Sequence, residues 1–192
     1  MDIKDLTVQI LAQIPPTSQF TPESTAAIAR NRDFLLSLEP QLVAAFYDSL
    51  YAHPPTAGIF HSGERPDREE TLRRWWRRTV GSPIEQSFWE WQTLVGIVHV
   101  RRHVSNAMML AQWALIIDFV RSEAEKKLPP KEVAALAKAF TQLSFTAGAL
   151  TAESYTRTYI EALNEVAGLE PALSERMVRM EVEELENKAR RG

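Results

Sequence analysis

"WQTLVGIVHVRRHV", residues 91–104, places two histidines, His99 and His103, four positions apart at the end of an apolar run with helical spacing. Side chains at i and i+4 share a helix face. Three readings compete: a metal-chelating pair, one cofactor ligand beside a bystander, or two ordinary surface histidines. Zinc hydrolases with this spacing carry a glutamate directly after the first ligand to act as base. Here Val100, Arg101 and Arg102 intervene, with no carboxylate and two positive charges that oppose a dication. The chelating reading recedes, and the other two stay open.

A lone histidine on the edge of an apolar stripe is more often a hydrogen-bonded core residue than a ligand. The setting of His99 shifts that balance. Phe88, Trp91, Val95 and Val98 form the stripe, and Gly96 permits close backbone approach. Arg101, Arg102 and His103 then turn the segment polar. A flat apolar cofactor bearing anionic groups suits such a site.

The chain has 192 residues, 45% of them hydrophobic, enough for one sizeable core. Its net charge of −3 gives no overall attraction to nucleic acid or anionic membranes. It has no cysteine, which excludes disulfides, thiolate metal sites and cysteine nucleophiles and leaves histidine and carboxylates as strong ligands. The four histidines are His53, His61, His99 and His103. The start, "MDIKDLTVQILAQIPP", is unlike a secretory signal, and no stretch approaches membrane-spanning length, so a cytoplasmic protein is expected.

Apolar residues recur at helical spacing almost throughout, which predicts an all-α fold. A first helix is expected over residues 3–13, stopped by Pro15 and Pro16. Thr21 and Pro22 open a second, reaching about Leu38. Pro40 starts a third, with Leu42, Ala45, Phe46 and Leu50 on one side, ending before His53. The loop "HPPTAGIFHSGERP" carries Ile59 and Phe60 as plugs for a core. A helix over 67–80 ends at Gly81. "SPIE" reads as a capping box, with Ser82 as cap of a helix from 83 to about 103. Ser105 caps a helix to Lys127, and Pro129-Pro130 begins a long one, ended by Gly168, with Val133, Leu136, Phe140, Leu143 and Ala147 on one face. The segment 169–192 reads as a helical tail with a short stripe of Leu173, Met177 and Met180, either solvated or pairing with a partner helix.

These segments resemble the sensor-globin superfamily, the globin-coupled sensors and protoglobins. "WQTLVGIVHVRRHV" is similar to its proximal-histidine segment. "AAFYDSLYAHPPTAGIF" is similar to the segment that supplies a distal tyrosine, and "LRRWWRRTVG" to the tryptophan-bearing distal helix. The resemblance spans about residues 20–165. One departure follows the histidine, where the family's Ile-Gly-Leu/Ile-x-Pro is replaced by Arg102-His103-Val104-Ser105.

The resemblance implies a globin fold with an extra N-terminal helix, a haem-binding domain over 1–168, and a tail or truncated linker over 169–192 with no effector domain. It implies haem b, iron protoporphyrin IX, with His99 as proximal iron ligand. The other ring nitrogen of His99 would donate to a carbonyl one turn back, that of Val95. Tyr47 would donate a hydrogen bond to the gas on the distal side. Phe60 would wedge against the porphyrin, and Leu72, Trp75 and Trp76 would roof the distal pocket, with the choice among the three left open. Val95, Val98, Met108, Met109, Leu110 and Trp113 would line the remainder. Arg102 and His103, with Arg101, are candidates for the propionates. "RRWWRR" invites a nucleic-acid reading, yet the neighbouring "DREE" neutralises much of it, so a solvated face or propionate partner is expected instead.

Three functions follow as expectations: a sensor or carrier of dioxygen, carbon monoxide or nitric oxide that signals through a protein partner or its tail; a haem enzyme detoxifying nitric oxide or using peroxide; and a cofactor-free helical interaction module. No dedicated acid-base pair favours the enzyme. The family's pairing mode implies a homodimer through the last two long helices, with neither nucleic acid nor membrane as partner.

Overall fold

The computed structural model describes residues 2–191 and is built of helices. Helix α1 (Ile3–Leu11) is capped by Asp2, whose carboxylate accepts from the amides of Lys4 and Asp5 at 2.7 and 3.1 Å. Thr21 caps α2 (Pro22–Arg30) by accepting from the Ser24 amide. The helix expected to continue to Leu38 breaks at Asn31 and resumes as α3 (Arg32–Ser37). The cause is the Asn31 side chain, which donates to the Ala27 carbonyl and to Glu132, both at 2.9 Å. Asparagine offers the backbone such an alternative wherever a distant acceptor holds it.

Next come α4 (Glu39–Ala52), a single turn α5 (Pro54–Ala57) inside the expected loop, and α6 (Arg65–Gly81). The buried face of α4 is Leu42, Val43, Tyr47 and Leu50, rotated from the expected one so that Tyr47 turns inward. Helix α7 spans Gln86–Arg102, and the expected capping box is not formed: Glu85 stands at the cap position without a side-chain hydrogen bond. Residues 82–85 precede the helix as non-helical backbone, and Ile84 packs against the main core. Burying Ile84 outweighs one capping bond, whose worth is about 1 kcal/mol.

Ser105 caps α8 (Asn106–Lys127), accepting from the Met108 amide, as its sequence implies. Helix α9 (Pro130–Ala167) runs through the middle of the core, with Leu136, Phe140, Leu143, Ala147 and Leu150 inaccessible to solvent. Contrary to the expectation that no segment reaches membrane-spanning length, α9 is long and apolar enough to do so. Half of its apolar window is buried inside the protein. Gly168 ends it at φ 65°, and the Leu169 amide returns to the Asn164 carbonyl at 2.9 Å, a Schellman closure that glycine makes without a Cβ clash.

Two compact units result, Met1–Tyr155 and Thr156–Gly192. The second consists of the last turns of α9 and helix α10 (Pro171–Ala189), which has no buried residue and carries the ion pairs Glu184–Lys188 and Glu186–Arg190. Its Met177, Val178, Met180 and Leu185 are exposed.

In the first unit, α7 meets α9 at Gly96. A Cβ there would lie 2.1 Å from Ser154 Oγ and 2.2 Å from the Thr151 carbonyl oxygen. Ser154 Oγ donates to the Thr93 carbonyl at 2.9 Å, and Thr93 Oγ1 shares a hydrogen bond of 2.8 Å with Thr7 on α1. The side of α7 that meets its neighbours therefore centres on Thr93 and Gly96; of the expected stripe Phe88 is buried, whereas Trp91, Val95 and Val98 are not. G96A should lower the unfolding free energy by about 2–3 kcal/mol, overpacking outweighing the better helix propensity of alanine, as read by urea denaturation.

Candidate functional site

With its Gly96 side fixed against α9, α7 presents Trp91, Val95, Val98 and His99 to a cavity of about 380 Å³. Gln92, two turns before His99 and on the same face, lines it as well. Tyr47 comes from α4, Arg68, Leu72 and Trp75 from α6, Met108, Met109 and Trp113 from α8, and Ile59 and Phe60 from the connection before α6. The walls are overwhelmingly apolar, and the volume falls within the range of about 300–1,000 Å³ typical of small-molecule and cofactor sites.

His99 is mostly buried, and burial pushes its imidazole down to about 4. It is neutral at pH 7 and keeps a lone pair for a metal. No hydrogen bond to its ring is present among the described residues, so the expected donation to the Val95 carbonyl is not formed. His103 is separated from it. It closes α7 in a left-handed conformation, φ 55°, with its side chain exposed and outside the cavity lining. The two histidines do not converge, and among the described residues no three His, Asp or Glu side chains gather as a metal site.

Tyr47 lies in the cavity wall, with Phe60 at 6.0 Å in edge-to-face contact and Phe60 stacked on Tyr51 at 4.9 Å. Its hydroxyl donates to the Arg68 carbonyl at 2.6 Å. Burial raises its pKa well above the ordinary tyrosine value, so it is a neutral donor throughout the physiological range. Trp75 packs edge-on to Trp113 at 5.4 Å, and both line the cavity.

Of the expected site residues, Tyr47, Phe60, Leu72, Trp75, Val95, Val98, His99, Arg102, Met108 and Trp113 come together around this one space. Trp76 and His103 do not. Trp76 is fully buried elsewhere, its indole donating to the Leu35 carbonyl at 3.0 Å and stacking on Phe140. Between adjacent tryptophans on one helix, about 100° of rotation sends one to the cavity and the other to the core. Leu110 is half exposed and lies across Gly148. The "RRWWRR" arginines are not in the lining either: Arg77 forms a two-pronged ion pair with Glu39, Arg73 pairs with Glu69, and Arg78 lies over Trp91 at 4.6 Å.

Among the polar lining residues the sequence reading missed, two carry unpartnered atoms. Gln92 is 2% exposed with Nε2 buried and unpartnered, and Arg68 has its Nε buried without a hydrogen bond. Spacing was the available signal, Gln92 at seven before His99 and Arg68 at four before Leu72. Arg102 Nη2 lies 2.6 Å from Glu64, and Arg68 Nε lies 3.3 Å from the same carboxylate. The His61 amide first, and Arg102 after it, hold the Glu64 carboxyl below the usual range.

An apolar cavity, a neutral imidazole in its wall, orphaned donors on two of its lining residues and arginines at one end fit a flat apolar group that bears a metal and carboxylates. Helices folded around such a space are the architecture a globin presents. The Protoglobin family model matches residues 10–161, and the chain belongs to the protoglobin family. Membership carries a globin fold, haem binding and a diatomic gas as ligand. No curated protein matches the chain.

The depressed His99 pKa has a sign that can be measured. The unfolded chain takes up the proton near 6.5 and the folded one only near 4, so stability is full above about pH 6.5 and falls as pH drops toward 4. In cofactor-free protein this loss should reach roughly 3 kcal/mol at most, and H99Q should remove that share of it in urea titrations at several pH values.

Proposed function

We propose that the cavity holds haem b, with His99 on the iron and Tyr47 beside the gas, and that the protein senses or carries a diatomic gas. The observation that carries this reading is His99 itself: neutral, mostly buried, without a ring hydrogen bond among the described residues, in the wall of a cavity that Tyr47 shares. Bound haem, held by His99, would supply an iron able to take a diatomic gas. The protein does the rest. Tyr47 keeps its proton and redirects it from the Arg68 carbonyl by rotation about the C–O bond, offering a hydrogen bond to a ligand carrying partial negative charge. Phe60, Leu72 and Trp75 keep water from that ligand, and Arg102 meets a propionate.

In this reading the haem-binding domain runs over 1–168, with 169–192 as a helical tail through which a protein partner is signalled. Two copies pair through α8 and α9, where Leu110 and Phe145 are exposed apolar side chains. The protein is expected to elute and scatter light as a dimer, and a monomer mass independent of concentration would count against that pairing.

Absorbance spectra of the purified protein, as isolated, reduced and exposed to carbon monoxide, test the haem assignment. The native protein and H103A should give an intense Soret band that shifts with carbon monoxide, and H99A should lose or alter it. No Soret band after haemin addition to the native protein would sink the reading. Y47F should release oxygen about tenfold faster or more, with a smaller effect on carbon monoxide, which accepts a hydrogen bond less well.

A further inference from the structure

We propose that Glu64 is a built-in stand-in for one carboxylate of the ligand: it holds Arg68 and Arg102 at the end of the cavity and gives them up when a propionate arrives. The inference rests on the haem reading and concerns how this chain's own residues admit the group.

Four observations carry it. Arg68 and Arg102 both line the cavity, whereas Glu64, which pairs with both, does not. Glu64 Oε1 lies 2.6 Å from Arg102 Nη2 and 3.3 Å from Arg68 Nε, while Oε2 accepts from the His61 amide at 3.0 Å. The Arg68 contact is not a hydrogen bond, and its Nε–H is buried with no acceptor. The Arg68 side chain is one third exposed and paired with Glu64, but its buried Nε–H lacks an acceptor, a local cost that a second carboxylate would relieve.

Charge points the same way. Two guanidinium groups face one carboxylate here, leaving one positive charge uncompensated. The neighbouring cations are engaged elsewhere, Arg65 with Asp48 and Glu69, and Arg73 with Glu69. The uncompensated charge is therefore a property of the Arg68–Arg102 pair, and it adjoins an apolar cavity where an anion is attracted more strongly than in water.

Geometry adds a consequence. Glu64 immediately precedes α6 and Arg102 ends α7, so their ion pair ties the 53–64 connection to the last turn of the helix that bears His99. Ile59 and Phe60 of that connection line the cavity. Exchange of Glu64 for a ligand carboxylate loosens this tie as the ligand enters. Glu64 thereby lowers affinity for a ligand carboxylate, which must displace it, and keeps the arginines from facing an apolar space without a counter-charge.

The test is titration of cofactor-free protein with haemin and with haemin dimethyl ester, whose propionates are neutral, followed by the Soret band and by quenching of tryptophan fluorescence. E64Q should bind haemin on the order of tenfold more tightly, R102Q on the order of tenfold more weakly, and E64Q/R102Q between R102Q and the native protein, because Arg68 is freed there too. With the dimethyl ester all four proteins should agree within about twofold, because no carboxylate is left to exchange. Unchanged haemin affinity in E64Q, or an equal gain for haemin and ester, overturns the proposal while leaving the haem reading intact. Absence of any Soret band in the native protein fails both. Should E64Q not keep the native circular dichroism, the native and R102Q proteins suffice: native must prefer haemin to the ester and R102Q must lose that preference, and an undiminished preference in R102Q overturns the proposal.

Discussion

The approach of α7 to α9 at Gly96 sets the rotational phase on which the site depends. With a Cβ position already occupied by Ser154 and the Thr151 carbonyl, that face of α7 has no other orientation. Thr93 adds two hydrogen-bonded neighbours, Ser154 on α9 and Thr7 on α1. Once these are seated, the 3.6-residue repeat leaves Gln92, Val95 and His99 together on the adjoining face, over the cavity. A larger residue at 96 would move α7 outward and carry His99 with it. The functional histidine is thus positioned by a glycine three residues away and by hydroxyl contacts on the far side of the helix.

Burial then decides the chemistry of each group placed there. The same desolvation drives the His99 imidazole toward its neutral, metal-competent form and the Tyr47 phenol toward its neutral, donating form. One apolar space therefore prepares a Lewis base on one wall and a hydrogen-bond donor on another, with desolvation the leading cause for both. Charge is confined to the end where Arg68, Arg102 and Glu64 meet, and a ligand with an apolar body and anionic edge has one way round in such a field.

Much of this was legible in the sequence, and the failures share a cause. Caps whose partners lie within three or four residues, Thr21, Ser105 and Gly168, are where the sequence places them. So are the long helices, because their apolar repeats extend over many turns. What escaped depends on distant partners. Asn31 breaks a helix because Glu132 accepts its amide from a hundred residues away, and Ser82 forgoes its cap because Ile84 finds a core to enter. The phase of α7 was misread because polar Thr93 and Gln92 are buried while Val98 stays partly exposed. Hydrophobicity alone cannot anticipate hydroxyls and amides used as interior contacts. Trp76 was offered to the cavity because adjacent tryptophans look alike until the rotation of α6 is known, and His103 because spacing assumes that the helix continues past Arg102.

Arg68 links the two ends of the site through different atoms of one residue. Its carbonyl takes the Tyr47 hydroxyl, and its guanidinium pairs with Glu64. Backbone in the first turns of α6 is held by the helix repeat, so the carbonyl is a fixed acceptor, while the side chain is free to choose between two carboxylates. A change of partner at the guanidinium can proceed without disturbing the tyrosine, and the tyrosine can turn its proton toward a gas without releasing the arginine. A carbonyl relieved of the hydroxyl keeps its helical hydrogen bond, so the cost of freeing Tyr47 is that of one neutral bond, about 1 kcal/mol. That is small enough for a gas of modest polarity to compete, and large enough to hold the phenol in one place until it does.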